Sequence, residues 1–362
     1  MSDVVISGYY GFRNNGDDAL LLSIINDLKS KKPDIDIVVL SKNPRETERI
    51  YKVRAVHREN VASVIKELLG TKMLISGGGT LMQDGTSTKS LLYYLWIIRA
   101  AAMFGKKVML YANGIGPLNS ERNRTRTKKV LNRVNLITLR DEASREELEK
   151  IGVTVPHIEV TADPAFRLEF DEKASDGNFD GDKDYMLVSV RPWKENSCDF
   201  CEALTAACDY AYEKYDLETV FLPMHTKTDE EITEKIRTAM RAKSQVLKTD
   251  YNINRLLSIF SGMKLCIGMR LHTLIYSAVT CVPLVGIVYD PKVSGFLDYI
   301  GISNYCGADT VTKETLISAI DRAMAENAAE REKLKAKRAE FGEKAKRNAE
   351  LAINLLCGGE KF

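Results

Sequence analysis

Residues 4–28 read VVISGYYGFRNNGDDALLLSIINDL. Val4–Ser7 is a short apolar run of strand type, and Leu21, Ile24, Ile25 and Leu28 fall at helical spacing, which predicts a helix over Asp18–Lys31. A strand leading straight into a helix is half of a βαβ unit and points to a parallel sheet. Between the two lies Gly8–Asp18, rich in glycine, tyrosine, asparagine and aspartate. A strand-to-helix turn needs only a glycine or two and a capping residue, for which Asp17 is placed; the remaining polar groups are surplus to folding. In parallel sheets that surplus sits where ligands bind, beyond the carboxyl ends of the strands.

The same alternation runs through the chain. Ile35–Leu40, Met73–Ser76, Val108–Ala112 and Leu136–Leu139 read as further strands, with helical patterns at Val61–Leu69, Lys89–Phe104, Arg124–Arg133 and Ser144–Ile151. Phe170–Asp184 is acidic, contains glycine and has no periodicity, as a linker does. A second series follows, with strands at Met186–Val190, Thr219–Pro223, Met263–Gly268 and Pro283–Val288 and helices near Cys198–Lys214, Asp229–Ala242, Asn252–Phe260 and Leu271–Val279. The expectation is an α/β protein of two Rossmann-like parallel-sheet domains facing a cleft. They would span residues 1–170 and 185–330, with a C-terminal helix at 331–362 that crosses back to the first. With 362 residues, 44% of them hydrophobic, the chain can fill two such cores.

Composition excludes several classes. A net charge of +2 implies no strong field for nucleic acid. Seven cysteines, an odd number in mostly apolar contexts, fit reduced thiols; Cys198 and Cys201 form a C-x-x-C with no second pair to complete a zinc site. MSDVVISGYYG lacks the basic flank and apolar run of a signal peptide, and Leu91–Phe104 is broken by Arg99. A cytoplasmic chain is expected. Basic residues gather at Arg122–Arg133 and along the last helix, as solvated faces or as a patch for anionic lipid at the inner face of the membrane.

The strand ends carry the chemistry. They deliver Ser76-Gly77-Gly78-Gly79-Thr80, Asn113-Gly114-Ile115-Gly116-Pro117 and Arg140-Asp141 in the first series, then Arg191-Pro192-Trp193-Lys194, Pro223-Met224-His225 and Gly268-Met269-Arg270-Leu271-His272 in the second. Gly77–Gly79 lacks the lysine of a P-loop and the spacing of a dinucleotide fingerprint, and it also suits plain helix–strand packing. Arg140-Asp141 also reads as a local pair opening a helix. Arg270 stands where a buried strand meets a buried helix and needs an anionic partner, from the protein or from a ligand. His272 would lie at a helix N-terminus, where an anion is favoured. His225 reads equally as a cleft or a surface residue, and His57 and His157 as surface residues. No G-x-S-x-G or H-E-x-x-H occurs.

Taken in order, GYYGFRNNGDDALL, ISGGGTLMQD, ANGIGP, LRDEAS, SVRPW, GMRLHTLIYS and VPLVGIVYDPKVSGF resemble the polysaccharide pyruvyl transferase family. Within it the likeness is to bacterial enzymes that place pyruvate ketals on cell-wall polymers. The resemblance implies a fold similar to the type B glycosyltransferases and phosphoenolpyruvate as a substrate, with no cofactor. The acceptor would be an amino sugar, typically N-acetylmannosamine in a lipid-diphosphate-linked precursor. The product is a cyclic ketal whose carboxylate surface-layer proteins recognise. The residues are consistent with that chemistry. Arg140 and Arg270 would grip the donor, with Leu271, His272, Gly78 and Gly79 beside it. His272 would supply the proton, with His225 as the other candidate, and Asp17 would act as base. Tyr9, Tyr10, Asn14, Asn15, Arg191 and His225 would hold the acceptor. No metal is required, because arginines can neutralise the phosphate. The alternatives are a sugar-nucleotide glycosyltransferase on the same fold and a non-catalytic anion- or sugar-binding protein.

Overall fold

The computed structural model describes residues 2–85, 87–171, 179, 183–193, 198–247 and 252–359, so most of the expected linker and Lys194 lie outside the described residues. The chain divides into two compact units, Met1–Arg167 with Phe341–Phe362, and Leu168–Glu340.

In unit 1, strands β1 (Ser2–Ser7), β2 (Ile37–Ser41), β3 (Arg54–His57), β4 (Thr71–Gly77), β5 (Lys107–Asn113), β6 (Leu136–Leu139) and β7 (His157–Val160) form one parallel sheet in the order β3-β2-β1-β4-β5-β6-β7. The central strands are apolar on both faces because helices cover both sides. One layer holds α3 (Val61–Gly70), α4 (Thr88–Met103), α5 (Glu121–Leu131) and α6 (Glu142–Ile151), whose Val64, Leu68, Leu91, Ile98, Leu131 and Leu148 share a core. The other holds α1 (Asn15–Lys31) and α2 (Pro44–Tyr51), with Leu351 and Ala352 from the last turns of the C-terminal helix. The order reverses between β1 and β4, so the connections that leave their carboxyl ends run to opposite faces of the sheet and leave a crevice.

Unit 2 repeats the plan. Strands β8 (Asp184–Ser189), β9 (Leu217–Phe221), β10 (Ser244–Val246), β11 (Leu265–Gly268), β12 (Leu284–Val288) and β13 (Tyr305–Gly307) run in parallel in the order β10-β9-β8-β11-β12-β13. Their helices are α7 (Cys198–Tyr215), α8 (Thr226–Ala239), α9 (Ile253–Ser261), α10 (Leu271–Val279), α11 (Pro291–Tyr299), α12 (Lys313–Ala325) and the first turns of α13 (Asn327–Cys357), which belongs to unit 1 from Phe341 on. Here the reversal lies between β8 and β11.

The strands that periodicity does not predict are β3, β7, β10 and β13, at the edges of the two sheets. Each is three or four residues long and partly exposed, so none carries an apolar run to read.

Candidate active site

At the unit 1 crevice the loop after β1 is held from below. The Tyr10 hydroxyl donates to the Gly77 carbonyl at 2.7 Å, and its ring occupies the space that a Cβ at Gly8 or Gly77 would need. Tyr10 is only 1% exposed. It is therefore a wedge and offers no face to a sugar, which corrects the sequence expectation. Tyr9 remains half-buried and stacks on Phe12, with ring centroids 4.1 Å apart.

Arg58, just after β3, pins the loop from the side. Its guanidinium donates to the Gly8 carbonyl at 2.9 Å and lies over the Tyr93 ring at 4.3 Å and the Phe12 ring at 5.1 Å. Sequence reasoning missed Arg58 because it follows β3, an edge strand that periodicity does not predict.

Asn14 is the N-cap of α1, its Oδ1 accepting from the Gly16 amide at 3.1 Å, and Asn15 is buried as the first helical residue. Asp17 is thus the third residue of the helix and not its cap, a second correction. Freed of that duty, Asp17 points at the glycine turn: its Oδ1 is 3.1 Å from the position a Cβ on Gly79 would take. Part of its surface reaches solvent, but the protein surrounds it deeply enough that burial, reinforced by Asp18, pushes its carboxyl up to about 8; Arg140 and Arg58 pull in the opposite direction. Burial also raises Asp18, to about 6.

The glycine turn is built for close approach. Gly78 and Gly79 both have positive φ (65° and 69°), and a Cβ on Gly78 would meet Leu20 of α1 at 2.9 Å. The Asn113 amide ties the turn down through the Gly78 and Gly79 carbonyls at 3.1 and 3.3 Å. Packing against α1 thus accounts for Gly78, while Gly79 makes room for the Asp17 carboxyl. Gly79→Ala is expected to cost about 1–2 kcal/mol from the left-handed backbone alone, read as a lower denaturant midpoint.

Arg140, at the end of β6, is 7% exposed. Its Nη2 donates to Thr80 Oγ1 at 2.9 Å and its Nε to Asp141 Oδ2 at 3.3 Å, and its Nη1 pairs with Asp163 Oδ2 at 3.7 Å. Each guanidinium nitrogen faces a partner within unit 1, Nε and Nη2 by hydrogen bond and Nη1 by the ion pair, so the fork is engaged by the protein and its charge also acts on Asp17. Asp141 also caps α6, accepting from the Ser144 amide at 2.8 Å. Asp163 follows β7, an edge strand that was not predicted, and was missed with it.

In unit 2 the crevice between β8 and β11 gathers Arg191, Arg270 and the start of α10. Arg191 lies over the Tyr289 ring at 4.8 Å, and its buried Nε makes no hydrogen bond among the described residues. Arg270 has the anionic partner its position demanded: Asp229, fully buried in the first turn of α8, takes its Nε at 3.0 Å and its Nη2 as well. The bidentate fork is therefore spent on the protein, and only Nη1 is left without a bond among the described residues. Asp229 also accepts from the His225 amide at 3.0 Å, and His225 Nδ1 lies 3.2 Å from Thr228 Oγ1. This places His225 at the N-cap of α8. Leu271 and His272 open α10, whose N-cap Arg270 provides no side-chain bond to the first amides. Those amides and the helix dipole favour an anion.

Comparison with known proteins agrees with this architecture. The chain is 23% identical over 357 residues to the amylovoran biosynthesis protein AmsJ of Erwinia amylovora, covering 83% of this chain and 86% of that protein. A putative UDP-N-acetylglucosamine 2-epimerase from Listeria monocytogenes superposes with a TM-score of 0.70 at 14% identity, covering 100% of this chain and 98% of that one. A UDP-GlcNAc 2-epimerase from Neisseria meningitidis bound to UDP-GlcNAc gives 0.67 at 10% identity over 99% and 100% of the two chains. A glycosyltransferase from Rickettsia africae gives 0.65 at 10% identity over the same shares. At such identities the likeness establishes the fold, two Rossmann-like units of the type B glycosyltransferase and epimerase kind. Residues 14–291 match the family model described as polysaccharide pyruvyl transferase, and the chain accordingly belongs to that family of transferases.

Proposed function

We propose that this protein moves the pyruvyl group of phosphoenolpyruvate onto two hydroxyls of an amino sugar, N-acetylmannosamine in a lipid-diphosphate-linked cell-wall precursor, and releases phosphate. The observation that carries the reading, beyond family membership, is the Asp17 carboxyl at the unit 1 crevice, pushed up to about 8 beside a loop of aromatic and amide groups. A group titrating there is suited to accepting a hydroxyl proton.

Acceptor groups lie on unit 1, where Tyr9 and the amide nitrogen of Asn14 flank Asp17. Donor groups lie on unit 2. Arg270 Nη1 and the first amides of α10 favour the carboxylate and phosphate, while Arg191 and His225, on neighbouring strand ends, keep their assignment to the acceptor. In the reaction His272 protonates the methylene carbon, one sugar oxygen adds to C2 as Asp17 takes its proton, and the C2–O bond to phosphate breaks with its electron pair. The second hydroxyl then closes the ketal. Asp17 then gives up the first sugar proton to solvent, so that in balance one of the two sugar protons restores His272 and the other leaves on hydrogen phosphate. The reading includes action in the cytoplasm, with peripheral contact between the basic Arg122–Arg133 segment and the anionic inner face of the membrane.

Mass spectrometry of a lipid-linked N-acetylmannosamine acceptor after incubation with phosphoenolpyruvate tests the reaction, with a UDP-sugar in parallel. A ketal-sized mass gain and sugar-dependent phosphate release are expected. Glycosyl transfer from the nucleotide sugar would replace this reading with that of a glycosyltransferase. Because Asp17 must be ionised to act as base, kcat/KM for the acceptor should climb with pH about tenfold per unit and level off above about 8. A plateau already reached at pH 6 would assign the base to another group.

A further inference from the structure

Helices that cover a sheet normally turn polar residues outward. In α4 the buried side carries Leu91, Tyr94, Leu95, Ile98 and Ala101. Its outward residues Lys89, Leu92, Trp96, Arg99 and Met103 are spaced three and four apart and so form one stripe. Leu92 is 38%, Trp96 37% and Met103 66% exposed, and Leu69 on neighbouring α3 is 52% exposed. Of the nine large hydrophobic side chains most exposed among the described residues, five belong to these two helices, the fifth being Val61. The stripe, about 21 Å long at 1.5 Å per residue, is a coherent surface rather than scattered single residues.

Its charge indicates what covers it. The outward charged residues beside it are basic: Lys66 on α3, Lys89 and Arg99 on α4, and Arg122 and Lys129 on α5, which packs against α4. The one fully outward carboxylate on these three helices, Glu121, lies 4.0 Å from Arg124. A second copy docked by the same face would set cation against cation, since a two-fold interface pairs a patch with itself. An anionic bilayer surface complements both the charge and the apolar stripe, and the headgroup level is where a tryptophan ring is most at ease.

We propose that the outer face of α3, α4 and α5 docks on an anionic lipid surface, with Trp96, Leu92 and Met103 entering the boundary between headgroups and acyl chains. This rests on the membrane-contact part of the reading above and adds to it an inserted apolar stripe. Among the described residues no helix is long and apolar enough to cross a membrane, so the contact is a peripheral one.

The chain has two tryptophans, Trp96 and Trp193, so quenching by lipids brominated in the acyl chain reports on insertion. With vesicles of phosphatidylglycerol and phosphatidylcholine the full-length protein should be quenched. The quenching should vanish in Trp96→Phe, fall several-fold on pure phosphatidylcholine and weaken with salt. Leu92→Ser combined with Met103→Ser should reduce co-sedimentation about tenfold, a readout that holds even if Trp96→Phe misfolds. Anionic binding without Trp96-dependent quenching would overturn the inserted stripe while leaving the basic contact standing, and no binding to any vesicle would overturn both. An emission change that follows protein concentration without lipid would assign the face to a second copy and also overturn the proposal.

Discussion

Asp17→Asn is expected to lower turnover by about 10²–10⁴-fold while the variant melts at or above the parental temperature. The two effects have one cause. Asp17 is not the cap of α1, so no capping bond is lost, and asparagine is close to the shape of a protonated aspartate. Between its ordinary value of 3.8 and about 8, the folded state holds a proton on Asp17 that the unfolded chain releases. Stability therefore falls as pH rises through that window and is flat above it, because the folded state binds the extra proton. Asparagine does not titrate, so the melting temperature of the variant relative to the parent should rise from pH 4 to pH 8. A variant that melts earlier at pH 8 and turns over normally would make Asp17 a structural residue. Loss of turnover with a flat difference in melting would instead mean that its carboxyl is ionised throughout.

Asp229→Ala carries the largest expected effect on stability. It strips a fully buried carboxylate from Arg270 and removes the acceptor of the His225 amide. Breaking a buried pair by removing one partner costs about 3–5 kcal/mol, which for a unit of this size lowers the melting temperature by roughly 10 °C. The same change frees the guanidinium to reorient, so KM for phosphoenolpyruvate should rise as well. The double variant Arg270→Met with Asp229→Leu separates the two roles. Replacing both charges with apolar side chains should recover most of the stability, while the donor KM stays high if Arg270 Nη1 binds phosphoenolpyruvate. Recovery of both would leave the pair a purely structural one.

The sequence by itself determined the fold class. Continuous apolar runs such as Val4–Ser7 and Leu136–Leu139, set between helical periods, leave little besides a parallel sheet covered on both faces, and in such sheets functional residues stand at the strand ends. Helix α10 came out as Leu271–Val279 from periodicity alone, and a partly buried arginine at its start demanded an anionic partner. These are local properties of the chain, readable within a window of a dozen residues.

Only the tertiary structure decided what each of those residues touches. Arg140 meets Thr80 and Asp163, and Arg58 meets Gly8, across separations of 60, 23 and 50 positions. No local pattern could say that Tyr10 turns inward to fill the gap left by Gly8 and Gly77, or that Asp229 would be the carboxylate waiting for Arg270. Edge strands β3 and β7 escaped notice because an edge has one paired side and needs little apolar character, and Asp163 was lost with β7. The physical reason is the same in each case. Periodicity records which residues leave water, but the partner of a buried charge is chosen by sheet order and by the packing of segments far apart in the chain.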